Sequence, residues 1–268
     1  HSDPDTGLIR YDPRYWLFLD WTDLQKDGQP ALLSLWLLHA LDRLTTMLRQ
    51  SSLPDDFEGI PDWAGRLRAA VGSRLLRADG LVCDGLNERG KPSAKTSLQA
   101  QTLAWICQLE GFDRARALER ILLPWLREDR ISHAPPSSYW CAYPLDLLAE
   151  VGYGREVLAY IKRRWAAMAE FGSCYEDFLP HVPGQDMMSH SHAWSAHPLY
   201  LLMRILGGIR QAAPGWAKVR IDPTFEGRRA KVAVPTPRGL IRVEWDRVGD
   251  GSAKPRIEIP KSIQRLRK

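Results

Sequence analysis

Apolar residues recur at helical spacing from the start of the chain to about Gly208, and at alternating spacing after Pro214. Pro30 to Arg49 is strongly apolar and opens on a proline, which suits a first helical turn where a missing N–H costs nothing. Pro61 to Leu76 sets Trp63, Leu67, Ala70, Val71 and Leu75 on one stripe, with arginines elsewhere. Ser93 to Leu109 predicts a third helix ended by Gly111, and Asp113 caps a fourth that runs through Trp125 and Leu126. Ser138 to Val151 and Arg155 to Glu170 make a pair across Gly152-Tyr153-Gly154. His192 to Leu206 is the last, stopped by Gly207-Gly208. That is about seven helices.

The pattern then changes. Lys218 to Ile221, Ala230 to Val234, Leu240 to Trp245 and Arg256 to Ile259 are short β-branched runs. Asp-Pro, Pro-Thr-Pro-Arg-Gly and Gly-Asp-Gly-Ser separate them, and each is turn chemistry. A small antiparallel β-sandwich is expected here, reached through a linker at Gln211 to Gly215. Consecutive helix pairs fit a bundle, a solenoid or an α/α toroid; the lack of a strict repeat weakens the solenoid. Some helices are apolar nearly all round and others one-sided, as in a double ring with covered inner helices. A closed ring of six pairs needs twelve helices, so either the helical domain is shorter or another half lies upstream.

Composition narrows the class. The 268 residues are 44% hydrophobic and 26% charged, which excludes disordered and fibrous chains. The longest greasy run, Ala31 to Leu41, is too short to cross a bilayer. No signal pattern opens the chain, and a start at His1-Ser2 is expected of a cut or processed end with sequence upstream. The compartment stays open between cytoplasmic and periplasmic or secreted. Four scattered cysteines without Cys-x-x-Cys spacing read as buried thiols. The net charge of +5 is concentrated after Pro214, where 14 basic residues face 6 acidic ones. They are interleaved along strands, as on a solvated sheet face, so neither a nucleic-acid nor a membrane partner is expected.

The chemistry is expected on loops. Eleven tryptophans are many for this length. Trp63, Trp105 and Trp125 lie on helix stripes and read as core, whereas Trp16, Trp21, Trp140 and Trp194 lie at or before helix starts. Sugar rings stack on indole and offer hydroxyls to carboxylates, so such loops can line a carbohydrate pocket. Ser173-Cys-Tyr-Glu176-Asp177-Phe178 places adjacent carboxylates beside aromatics, a setting that suits proton transfer as well as simple capping of a loop. Ser189-His190-Ser191-His192 could hold a metal if Asp186 or Glu176 completed the site, though two histidines without a second cluster are a weak signal. No metal or other cofactor is expected. A phosphate loop, a Gly-x-Ser-x-Gly elbow and a His-Glu-x-x-His motif are all missing from the sequence.

Several segments together resemble a family. Glu176 in Cys-Tyr-Glu-Asp-Phe is followed by Ser189-His-Ser-His192-Ala-Trp-Ser-Ala, then Gly207-Gly-Ile209, Pro214-Gly-Trp-Ala-Lys-Val-Arg-Ile-Asp-Pro223 and Pro235 to Trp245. This order is similar to the C-terminal half of bacterial α-L-rhamnosidases and their glycoside-hydrolase relatives. Phe18-Leu-Asp20-Trp21 resembles the family's Asp-Trp motif. The resemblance implies a mainly α fold with a C-terminal β region: an (α/α)6-toroid-type domain over residues 1–210, partial at about seven helices, then a β-sandwich over 211–268. It implies inverting cleavage of a terminal L-rhamnose, in which one carboxylate protonates the leaving oxygen and another activates water on the opposite face.

By the same resemblance Glu176 stands at the general-base position, with Tyr175 where the family usually has Trp. His192 stands at a substrate-contacting position, and Asp20 and Trp21 at sugar-pocket positions. Tyr139, Trp140 and Trp194 join them from loop placement. The acidic loop that carries the family's general acid is missing from these residues, so an N-terminal half of the same enzyme is the expected partner, alongside a carbohydrate substrate. A carbohydrate-binding chain without catalysis, and a metal-dependent enzyme on His190 and His192, are the other readings the residues leave open.

Overall fold

The computed structural model describes residues 2–51, 59–131, 133–178, 189–247 and 254–266. The chain divides into two compact units, His1–Leu147 and Leu148–Lys268.

In the first unit, a two-residue strand β1 (Gln29–Pro30) leads directly into helix α1 (Ala31–Gln50) and pairs antiparallel with β2 (Gly85–Leu86). Pro30 stands just outside the helix as its cap residue, in extended conformation, rather than in the first turn. Ala31, Leu32, Leu35, Leu38 and Leu41 form the buried stripe of α1. It packs on Ala64, Leu67 and Val71 of α2 (Gly59–Arg74) and on Leu103 and Ala104 of α3 (Leu98–Ile106). Each fully buried leucine here contributes about 1.5–3 kcal/mol. At 20 residues, α1 is long and apolar enough to span a membrane by length and composition, although the greasy run within it had looked too short; its apolar stripe faces this core.

Two helix expectations need correction in this unit. Trp63 is 39% exposed, because Ala64, one position on, takes the core-facing place beside Leu67 and Val71. Helix α3 starts at Leu98, not Ser93, because the backbone at Ser93 and Lys95 is engaged with Gly85 and Asp84 and only Ser97 is placed to cap Ala100 N. Asp113 does cap the next helix, through Arg116 N. That helix is α4 (Arg114–Ala117) and α5 (Leu123–Glu128) joined by a wide π turn at Leu118–Leu122, just before Pro124, which has no N–H for a regular ladder.

The loops of this unit are tied by buried carboxylates. Asp20 is 1% exposed. Its Oδ1 accepts from Trp21 N at 2.8 Å, and its Oδ2 from Gln99 Nε2 at 3.0 Å and Ser137 N at 3.2 Å. Gln99 Nε2 also donates to Ala134 O at 3.2 Å. Asp84 accepts from Ser97 N at 2.6 Å and meets His133 Nε2 at 2.9 Å. Three of the four cysteines, Cys83, Cys107 and Cys141, are buried; the Cys107 thiol reaches Leu35 O at 3.5 Å, and burial pushes its pKa up to about 12.

The second unit begins within α6 (Ala142–Glu150) and continues with α7 (Gly154–Arg164), α8 (Ala166–Phe171) and α9 (Pro198–Leu206). The single helix expected from Arg155 to Glu170 is broken at Trp165, whose backbone leaves the helical region and whose indole N–H donates to Ser195 O at 2.9 Å. The last helix likewise does not start at His192: a 3₁₀ turn at Ala193–Ser195 comes first, and Pro198 opens α9 from its first position. His197, expected inside that helix, caps it instead.

Two three-stranded sheets follow. One has the order β3 (Ile209–Gln211), β4 (Lys218–Ile221), β8 (Gln264–Arg265); the other runs β5 (Arg229–Thr236), β6 (Gly239–Asp246), β7 (Arg256–Glu258). Val219 and Ile221 of the first sheet and Val232, Ile241, Val243 and Trp245 of the second share one core. Lys218, Arg220, Arg229 and Lys231 alternate outward, as the charge pattern predicted. The sandwich departs from the antiparallel expectation at β8, which joins β4 in parallel. The expected Gly249–Ser252 turn lies outside the described residues.

Two outcomes follow from this packing. Gly208 has φ +62°, and a Cβ there would sit 2.0 Å from the Asp222 carbonyl carbon. Gly208→Ala should therefore destabilise the chain by at least about 2 kcal/mol in urea unfolding, and an unchanged midpoint would contradict this close approach. Burial raises the Asp20 pKa above its ordinary 3.8, against the pull of the hydrogen bonds from Ser137, Gln99 and Trp21. A raised carboxylate pKa favours the folded state while protonated, so its contribution to stability falls as pH rises from the ordinary value through the raised one. The stability of the wild type relative to Asp20→Asn should thus decline with pH across that window; a rising difference would show that the donors, not burial, dominate.

Candidate functional site

Of the residues singled out by sequence, Glu176, His192 and Trp194 fall in the second unit and Asp20, Trp21, Tyr139 and Trp140 in the first. In the second unit, α8 ends at Gly172 with φ +85°, and the chain enters the Cys174–Asp177 loop. That loop lies against residues 189–195 through backbone bonds: Glu176 N donates to Ser189 O at 2.9 Å, and His192 N donates to Cys174 O at 2.8 Å. The Trp194 indole N–H then donates to Glu176 O at 3.1 Å. The main chain of Glu176 is thereby held on both sides.

The Glu176 side chain is positioned as firmly. Its Oε2 accepts from Ser189 N at 3.0 Å and lies 3.7 Å from His192 Nδ1. The side chain is only 14% exposed. The His192 ring rests on the Trp194 indole, with centroids 4.1 Å apart. A carboxylate, an imidazole and an indole therefore meet at one point, the combination of proton acceptor, hydroxyl partner and apolar ring face that handles a sugar. Asp177, next in sequence, is buried and accepts from Phe178 N at 2.7 Å.

The metal reading finds little here. His190 packs its ring against Tyr175 at 5.4 Å and Phe171 at 5.8 Å. Among the described residues no three His, Cys, Asp or Glu side chains gather as a metal-binding group, and Asp186 lies outside those residues.

In the first unit, Asp20 is a clamp between loops, and the residue it orients, Trp21, is 44% exposed. Tyr139 is half-buried, with its hydroxyl 3.5 Å from that of Tyr143. Trp140 corrects the expectation of an open ring face. It is fully buried, lies 5.7 Å from Trp36, and donates its indole N–H to Leu19 O at 2.8 Å, which makes it the support beneath the Asp20–Trp21 loop.

Sequence reasoning missed Ser189, whose N–H aims the Glu176 carboxylate, and Gln99, which carries Asp20. It also missed the Asp84–His133 pair. Ser189 stood inside a motif already singled out; the other partners are distant in sequence and carry no local signal.

Residues 208–264 match the family described as bacterial alpha-L-rhamnosidase C-terminal domain. Comparison with curated proteins found no match. Among solved structures, a family GH78 rhamnosidase of Bacillus sp. GL1 is 26% identical over 99% of this chain and 28% of its own, with a TM-score of 0.82. An α-L-rhamnosidase from Dictyoglomus thermophilum is 18% identical over 94% of this chain and 28% of its own, with a TM-score of 0.73. One from Aspergillus terreus is 17% identical over 97% of this chain and 31% of its own, with a TM-score of 0.76. The chain thus spans about a third or less of the length of these enzymes. Over nearly its whole length, this chain is similar to the C-terminal region of the GH78 α-L-rhamnosidases, the family that its own motifs resemble.

Proposed function

We propose that this chain is the C-terminal part of an α-L-rhamnosidase-like glycoside hydrolase in which Glu176 is the general base. The helical residues, up to Leu206, form part of the catalytic toroid, and the strands from Ile209 onward its sandwich, so the boundary expected at 210/211 falls inside strand β3 instead. The observation that carries this reading is the fixed carboxylate: Glu176 Oε2 is aimed by Ser189 N at 3.0 Å, faces His192 at 3.7 Å and is largely shielded from water. A base for an inverting reaction must hold one orientation toward a single water. It accepts that water's proton as the oxygen attacks the anomeric carbon, while a separate acid protonates the departing oxygen.

That acid belongs to the N-terminal half of the same enzyme, and the chain alone is expected to be inactive. His192 and Trp194 hold the sugar on the base side by hydrogen bonding and stacking; Trp21 and Tyr139 are candidate sugar contacts of the first unit taken by itself. Asp20, engaged by the donors around it, orients Trp21 rather than meeting the sugar itself.

In an enzyme that joins this chain to its acid-bearing half, Glu176→Gln should lower kcat on a terminal α-L-rhamnoside by about 10²–10⁴-fold. The affinity for L-rhamnose should change by less than about twofold, because the amide keeps the shape and the acceptor for Ser189 N. Turnover that survives the substitution would remove Glu176 from the reaction.

A further inference from the structure

The Asp84–His133 pair of the first unit has no part in the reading above, and two unfavourable local states sit close beside it. Ala134 is buried and has a left-handed backbone, with φ +51°. A residue that carries a Cβ keeps that conformation only where its surroundings impose it. Gln99 is fully buried, and its Oε1 has no partner among the described residues. A buried oxygen left without a donor is a standing cost on the amide's present orientation.

A chain of bonds holds both states in place. His133 Nε2 lies 2.9 Å from Asp84 Oδ2, and because a carboxylate can only accept, the ring donates. Asp84 is itself fixed: its Oδ1 accepts from Ser97 N, at the cap of α3, at 2.6 Å, and its side chain is 2% exposed. His133 is pinned by this contact, and Ala134 follows it. The Ala134 carbonyl then accepts from Gln99 Nε2 at 3.2 Å, while the same nitrogen donates to Asp20 Oδ2 at 3.0 Å. These two acceptors set the amide against its unpartnered oxygen. Asp20 in turn accepts from Trp21 N at 2.8 Å.

The two ends of the 133–137 segment differ. Ser137 is tied to the turn before α6, its O accepting from Cys141 N at 3.0 Å and its Oγ from Trp140 N at 3.3 Å. His133, at the other end, reaches the surface with its side chain 17% exposed. Loss of its bond to Asp84 lets Ala134 leave the left-handed region and withdraws one of the two acceptors that hold Gln99.

We infer that His133 is the positioning residue of the Trp21 loop: by holding Asp84 it keeps Ala134 in place, Ala134 keeps the Gln99 amide, and Gln99 keeps the Asp20 carboxylate that orients Trp21. The orientation of Trp21 stands apart from the rhamnosidase reading. Its consequence for sugar binding rests on that reading, which takes Trp21 as a sugar contact.

The test incorporates fluorotryptophan into the chain and follows Trp21, assigned through Trp21→Phe, by fluorine NMR. The wild type should give a single Trp21 line. His133→Phe keeps a ring but loses the donor, and should split or broaden that line while those of Trp36 and Trp140, in the core of the same unit, keep their widths. His133→Gln, whose amide reaches as far as Nε2, should restore the single line. If His133→Phe does not fold, His133→Ala, which admits water to Asp84, takes its place. Added to Asp20→Asn, the substitution at 133 should alter Trp21 no further, because both act along one route. An unchanged Trp21 line in the folded variant, equal disturbance of Trp36 and Trp140, no rescue by glutamine, or additive effects with Asp20→Asn would each overturn the inference. L-rhamnose affinity should fall about three- to tenfold in His133→Phe and recover in His133→Gln. An altered Trp21 line with undiminished affinity, or a wild type that binds no L-rhamnose, removes Trp21 from the sugar reading and leaves His133 as the residue that orients it.

Discussion

Two carboxylates cut off from water, Asp20 and Asp84, set the terms for the first unit. A buried carboxylate without donors costs far more than one hydrogen bond returns, so the chain must bring N–H groups to it. Asp20 draws its donors from position 21, from α3 and from position 137, and Asp84 draws its from the cap of α3 and from His133. The N-terminal end of α3 becomes the point at which otherwise irregular loops are obliged to converge. Trp140 reinforces it from below through Leu19. Trp21 gains a defined direction from this network although it makes little of the core itself.

The second unit solves a similar problem with main-chain groups. Breaking the helix at Trp165 frees that indole to hold Ser195, and the 189–195 segment in turn holds the backbone of Glu176. The carboxylate then needs only one N–H, from Ser189, to fix its remaining rotation. The carboxylate is thereby held in one orientation. The sandwich behind it is tied to the same unit through α9, which packs on β3 and β5, with Trp245 bonded to Leu206 O.

Much of this was legible in the sequence where the signal is local. The alternation of Val219, Ile221, Val232, Ile241 and Val243 with charged residues marked the strands, and Asp113 marked a helix start. Glu176 and His192 were visible because of the order of the surrounding motifs, which family likeness made readable. What escaped notice depended on partners far along the chain. Ser97, not Ser93, caps α3 because residues 85 and 84 claim the backbone at 93 and 95; the break at Trp165 answers a carbonyl thirty residues away. Trp140 had looked like a loop aromatic open to ligand, yet its indole was needed at Leu19, and Trp63 looked like core though the neighbouring alanine filled the space. Strand β8 is two residues long and pairs in parallel with a segment more than forty residues earlier, which no periodicity can announce.

The uneven shielding of the four thiols carries a practical consequence. Cys83, Cys107 and Cys141 are sealed in the interior, whereas Cys174 is half-buried and precedes Glu176 by two residues in the same loop. An alkylating reagent in native solution therefore meets one accessible thiol, and that thiol belongs to the backbone stretch that carries the Glu176 carboxylate. A spectroscopic label attached there would report on the posture of the loop without any engineered cysteine.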